Sequence, residues 1–136
     1  MATAGYSGTP LPKKLGIKAG TMFATVHAPD RFDAVLGSLP AEAEWQERLS
    51  PGLDVVIGFY TSRVALAAEW SQLTSAVAPA GTVWVAWPKK ASKVATDVTE
   101  DVVRELLLPT GWVDNKVCAI DDTWSGLRFA LRRELR

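Results

Sequence analysis

Cysteine and histidine are nearly missing from this chain: Cys118 and His27 are the single examples of each. One cysteine cannot close an internal disulfide, and one of each cannot build a zinc site of the usual Cys/His kind, so no metal site is expected. An excess of either charge is missing too, since 15 Lys and Arg balance 15 Asp and Glu. A balanced chain has no general pull toward nucleic acid or an anionic membrane, and neither is expected as a partner, although a local basic patch remains compatible with the count. Long hydrophobic runs are absent: no segment approaches the ~20 apolar residues of a membrane span. Met1 to Gly20 lack the apolar core of a signal peptide. The expected compartment is the cytoplasm, where a lone cysteine stays reduced. No repeat, low-complexity tract or linker interrupts the chain.

What is present is enough apolar material for a core, 48% of 136 residues with six Trp, in a length that suits one domain spanning 1–136. Residues 1–8 are small and polar and are expected to be flexible. Thr9-Pro10 reads as the cap and first position of a short helix that Gly16 ends. Met22–Val26 is a short apolar strand. Asp30 is placed to cap a helix over about 31–39, with Phe32, Val35, Leu36 and Leu39 on one face. Residues 43–48 read as a short polar strand. Leu53–Tyr60 is nearly continuous apolar sequence, the mark of a strand buried on both faces of a parallel sheet. Thr61 or Ser62 caps a helix over 63–78, with Val64, Ala67, Trp70, Leu73 and Val77 as its stripe, and Pro79-Ala80-Gly81 breaks it. Thr82–Trp87 is a second buried strand. A loop with Lys89, Lys90 and Lys93 follows, then Asp97-Val98-Thr99-Glu100 as a capping box for a helix to about Leu108. Val113–Ile120 and Leu127–Leu131 read as a closing antiparallel hairpin, the second arm half exposed. Alternation of this kind predicts an α/β domain, a Rossmann-like three-layer fold whose mostly parallel sheet ends in an antiparallel hairpin.

Two segments carry a resemblance. Leu15-Gly16-Ile17-Lys18-Ala19-Gly20 with the strand at 22–26 resembles the entry to the first strand of class I S-adenosylmethionine-dependent methyltransferases. Leu53–Tyr60, the next helix, Pro79-Ala80-Gly81 and the strand at 82–87 resemble their fourth strand, following helix and fifth strand. The resemblance implies a methyltransferase-like fold. The activity is not expected to come with it. That family uses a Gly-rich turn after the first strand, and here the turn is His27-Ala28-Pro29-Asp30-Arg31. Pro29 also removes a backbone N–H, and Glu44 and Glu47 are weak stand-ins for the ribose-holding acid. No cofactor is therefore expected. Gly5-Tyr6-Ser7-Gly8-Thr9-Pro10-Leu11, Lys13-Lys14-Leu15-Gly16-Ile17, Trp87-Pro88-Lys89-Lys90-Ala91-Ser92, Val94 to Arg104, Lys116 to Ala119 and Thr123 to Leu127 resemble an actinobacterial family of unknown function.

In an open α/β sheet, ligands bind beyond the carboxyl ends of the parallel strands. That edge is expected to carry His27, Asp30, Tyr60, Ser62, Trp87, Lys89, Lys90 and Lys93, and Trp124 sits in a turn where an aromatic side chain could meet a ligand. The lysines make an anion-site candidate; the competing reading is a solvated loop pairing with Asp97, Glu100 and Asp101. His27 is the candidate acid–base group, against a plain strand-end residue bonded to backbone. Gly5-Tyr6-Ser7-Gly8 lacks the strand–turn–helix setting of a nucleophile elbow. Cys118 reads as a small core residue. Three functions stay open: a non-catalytic binding or regulatory module for a small anionic ligand or a protein partner; a small enzyme acting on an anionic or phosphorylated substrate; and a homodimer formed through the hairpin.

Overall fold

The computed structural model describes residues 8–136. In chain order the elements are α1 (Leu11–Lys14), β1 (Met22–Val26), α2 (Phe32–Leu36), β2 (Glu44–Gln46), β3 (Leu53–Phe59), α3 (Arg63–Ala76), β4 (Val77–Pro88), α4 (Glu100–Leu107), β5 (Trp112–Ala119) and β6 (Trp124–Leu131). Short 3₁₀ turns lie at Lys90–Ser92, Leu108–Thr110 and Arg133–Leu135. All six strands form one sheet in the order β2-β1-β3-β4-β6-β5. Strands β1 to β4 run parallel, and β6 is antiparallel to both β4 and β5. This is the mixed α/β sheet that the alternation of patterns predicts.

Strand alternation sorts the core into two layers. On one face, Ala24, Val56, Val83, Val85, Leu127 and Phe129 pack under Leu66, Trp70 and Leu73 of α3 and Val103 and Leu107 of α4. On the other, Phe23, Val55, Ile57, Trp84 and Ala86 pack with Leu15, Phe32 and Leu36. Trp84 and Trp87, an odd number of residues apart, fall into opposite layers as their spacing requires. Trp84 is fully buried, and its Nε1–H donates to the Leu15 carbonyl at 2.9 Å, which ties α1 to the sheet.

Several local expectations differ from the structure. Ser62 caps α3, its Oγ accepting from Ala65 N at 3.2 Å, but the stripe is Leu66, Trp70, Leu73 and Ala76. Val64 is 74% exposed, because a register that buries Trp70 and Leu73 over β3 and β4 turns Val64 and Ala67 outward. Val35 is exposed for the same reason on α2. Asp30 does not cap α2: Arg31 holds the cap position in a left-handed conformation, with no side-chain bond. Pro10 and Pro12 sit at the cap and within the first turn of α1, and Thr9 lies outside it. Thr99 rather than Asp97 caps α4, and Asp97 Oδ1 instead accepts from Arg63 N at 2.7 Å. Strand β4 begins at Val77, and a shift of register between Leu53 and Val55 absorbs Pro79-Ala80-Gly81. Strand β6 lies between β4 and β5, so Ala130 is buried where a half-exposed arm was expected. The expectations for residues 1–7, including Gly5-Tyr6-Ser7, lie outside the described residues.

Candidate functional site

The connection β1–α2–β2 moves to one side of β1, and the chain then crosses back to place β3 on its other side. Such a reversal opens a crevice at the carboxyl ends of the two diverging strands. The residues that follow β1 and β3 are His27 and Tyr60. They meet edge to face, with ring centroids 5.4 Å apart.

A third group joins them. Glu69, on α3, takes the Tyr60 O–H on Oε1 at 2.8 Å, and His27 Nε2 lies 2.9 Å from the same oxygen. Tyr60 is buried at 2% exposure, while the His27 side chain is 53% exposed. The cluster thus runs from the core to solvent. Burial first, and then the Glu69 carboxylate, push the Tyr60 hydroxyl far above the usual phenol range, so it stays protonated and donates. Burial pushes the Glu69 carboxyl up, but the bonds from Tyr60 and His27 and the His27 charge outweigh it and hold the group below its ordinary value. Glu69 is a fixed anion that orients the imidazole, an arrangement suited to hydrogen bonding or to acid–base work.

Local backbone choices make the cluster possible. His27 adopts φ 58°, a left-handed conformation costly for a side chain this size. Gly58 in β3 leaves room for the Tyr60 ring: a Cβ there would stand 2.7 Å from Tyr60 Cε2 and 3.3 Å from Leu73 Cδ1.

The other expected site residues divide. Lys89 does not face His27. Its Nζ donates to the Asp121 carbonyl at 2.7 Å and its N–H to the Thr123 carbonyl, so it secures the β5–β6 turn to β4. Lys90 and Lys93 are exposed, and two of the three acids expected to pair with them are engaged elsewhere, Asp97 with Arg63 N and Glu100 with Arg104. Trp87 is 7% exposed and belongs to the core under α3 and α4. Trp124 packs edge-on against Phe59, with centroids 5.2 Å apart. Ser62 is committed to its cap, and Asp30 is exposed in the turn after β1. Glu69 went unnoticed in the sequence. Its signal is that it is the single acid of α3, two turns from the Ser62 cap and on the same side of the helix. Cys118 is buried; burial pushes its thiol up against the partial offset of Lys14, Lys116 and Arg128, which makes it a poor nucleophile. Among the described residues no group of three or more His, Cys, Asp or Glu could hold a metal ion, and no helix is long and apolar enough to cross a membrane.

The fold has solved counterparts. A putative type 11 methyltransferase from Sulfolobus solfataricus superposes with a TM-score of 0.62 at 10% identity, covering 89% of this chain and 89% of that one. The chain has the methyltransferase-like Rossmann fold. Fibrillarin from Aeropyrum pernix, solved with natively bound S-adenosyl-L-methionine, gives 0.56 at 11% identity over 88% of this chain and 73% of that one. A possible exported protein from Bordetella parapertussis gives 0.60 at 10% identity; the match covers 89% of this chain and spans 65% of the Bordetella one. No family model and no curated protein matches the sequence.

The methyltransferase-like fold raises S-adenosylmethionine as a ligand, and the residues present do not fit it. Close backbone approach calls for a bare left-handed position after β1, and that position here carries His27, tied to Glu69. Arg31, four residues on, is left-handed as well, and Pro29 between them has no N–H to offer.

Proposed function

We propose that this protein is a non-catalytic binding or regulatory module on a degenerate methyltransferase-like fold, taking a small anionic ligand at the carboxyl edge between β1 and β3. One observation carries the reading: His27 fills the turn where the fold's cofactor chemistry needs open backbone, and Glu69 and Tyr60 hold it there. The exposed Lys90 and Lys93 beyond β4 supply positive charge at the same edge. The setting proposed is cytoplasmic, and the segments quoted for the actinobacterial family of unknown function support kinship with it. Calorimetric titration with nucleotides, S-adenosylmethionine and S-adenosylhomocysteine tests the proposal. Saturable nucleotide binding that weakens in His27→Ala and in Lys90→Ala is expected. Tight S-adenosylmethionine binding that survives His27→Ala overturns it.

The His27–Glu69 pair favours a second reading, a small enzyme on an anionic substrate with His27 as acid–base group. The oxyanion role would then fall to Lys90, because Lys89 is bound to Asp121. Turnover of a phosphoester panel, lost in His27→Ala and reduced in Glu69→Gln, separates this from pure binding. A homodimer through the hairpin is the third reading. It is supported by the outer position of β5 and the 56% exposure of Val117, and opposed by the register shift between Asp114 and Lys116. A strict monomer in light scattering removes it.

A further inference from the structure

The amino edge of the sheet, at the opposite end of the strands from His27, holds a separate cavity of about 390 Å³. Its floor is made by Val55, Thr82 and Arg128, which share one face of the adjacent strands β3, β4 and β6. Its rim is the turn from Gly16 to Thr21, which brings in Lys18.

The polar groups here are ordered. Arg128 lies over the Trp84 ring, Cζ 5.9 Å from its centroid, and its Nε donates to Asn115 Oδ1 at 2.8 Å. These contacts fix the guanidinium plane and leave its two Nη groups without a protein acceptor among the described residues. Thr21 is 8% exposed, and its Oγ1 accepts from Lys18 N at 2.9 Å, so the hydroxyl proton remains to donate. One acid lines the cavity, Asp54, and its Oδ2 already accepts from Met22 N at 2.9 Å. Lys116 is paired with Arg128 across β5 and β6, which places a further cation beside it although the chain as a whole is neutral.

We propose that this cavity is an anion site for a small phosphate-bearing molecule, gripped by Arg128 and Lys18 with the Thr82 and Thr21 hydroxyls donating. A planar guanidinium held by its Asn115 bond beside the Trp84 ring suits two-point contact with phosphate oxygens, and Lys18 adds a point charge. The site is independent of the carboxyl-edge reading and survives if that reading fails.

The test is titration of the full chain with inorganic pyrophosphate, read by calorimetry and by amide chemical shifts. Saturable binding is expected, with shifts concentrated at residues 16–21, 82 and 128. Arg128→Gln should weaken it about tenfold, the loss of one charge-assisted contact, and Arg48→Gln, an exposed cation beyond β2, should leave it unchanged. Because Arg128→Gln also uncovers Trp84, Thr82→Val serves as a second variant, expected to weaken binding at an unchanged thermal midpoint. No saturable binding at millimolar pyrophosphate overturns the proposal. So does an affinity indifferent to both variants, or a shift pattern centred on residues 27–30 and 88–93.

Discussion

His27 and Tyr60, 33 positions apart in the chain, bond to the same carboxylate oxygen, Oε1 of Glu69. One end of this cluster is buried and the other reaches solvent, so its protonation is written into the stability of the fold.

The sign follows from the two shifts. The Tyr60 hydroxyl is raised above its ordinary value of 10.0, so the folded state keeps a proton that the unfolded state releases. Its contribution is intact below about pH 10 and falls away as pH climbs above that. Glu69 is held below its ordinary 4.5, so its contribution is present above that value and is lost as acid protonates it in the folded state. Tyr60→Phe should therefore flatten the alkaline fall in stability, at a cost of about 1–3 kcal/mol near neutrality from the lost bond to a charged acceptor. Glu69→Gln should flatten the acid side. Urea unfolding of the three proteins across pH checks both arms, and equal alkaline slopes in wild type and Tyr60→Phe would contradict the assignment.

Gly58→Ala should destabilise by about 1–3 kcal/mol, the usual cost of overpacking, because the new Cβ meets the Tyr60 ring at 2.7 Å and Leu73 behind it. The nearest partner is the Tyr60 ring, so the cost should shrink when Tyr60 is also cut to Ala. A double-mutant cycle measures this, and additive effects would show that the clash lies elsewhere.

The strands were legible along the chain because their patterns are local, whereas the place of β6 between β4 and β5 was not. Leu53–Phe59 and Val83–Trp87 announce two-sided burial by composition alone, and Ser62 announces its helix by its hydroxyl. Glu69 was not legible as a site residue. Its partner His27 is 42 positions away, and standing as the single acid of α3 does not say which distant side chain it meets. Lys89 misled for a similar reason: position after a central strand placed it at the ligand edge, but its ammonium found the Asp121 carbonyl. Asp97 misled because Thr99 caps its own helix and its carboxylate takes an N–H of α3, at Arg63, instead.

The helix α3 register gives a direct contrast. Leu66→Ala should cost about 2–5 kcal/mol, since Leu66 is fully buried on the core face of α3. Val64→Lys, two residues earlier and 74% exposed, should stay within about 0.5 kcal/mol of wild type. Chemical unfolding of both decides the register, and comparable losses would restore Val64 to the core stripe.

Trp84→Phe probes how the chain before β1 is held. The indole is fully buried, and its N–H is the buried donor to the Leu15 carbonyl, 69 residues away. Phenylalanine keeps much of the apolar contact but leaves that carbonyl without its partner and opens space beside Gly126, where a Cβ would already lie 3.2 Å from Trp84 Cε3. The expected loss is about 1–3 kcal/mol, from an orphaned acceptor and a partly filled site. The distribution of the effect is the sharper test. Hydrogen exchange should quicken first at Leu15 to Ile17, whose N–H groups are bonded within α1, while β3 and β4 keep their protection. Uniform acceleration through the sheet would mean that Trp84 supports the whole core rather than anchoring α1 to it.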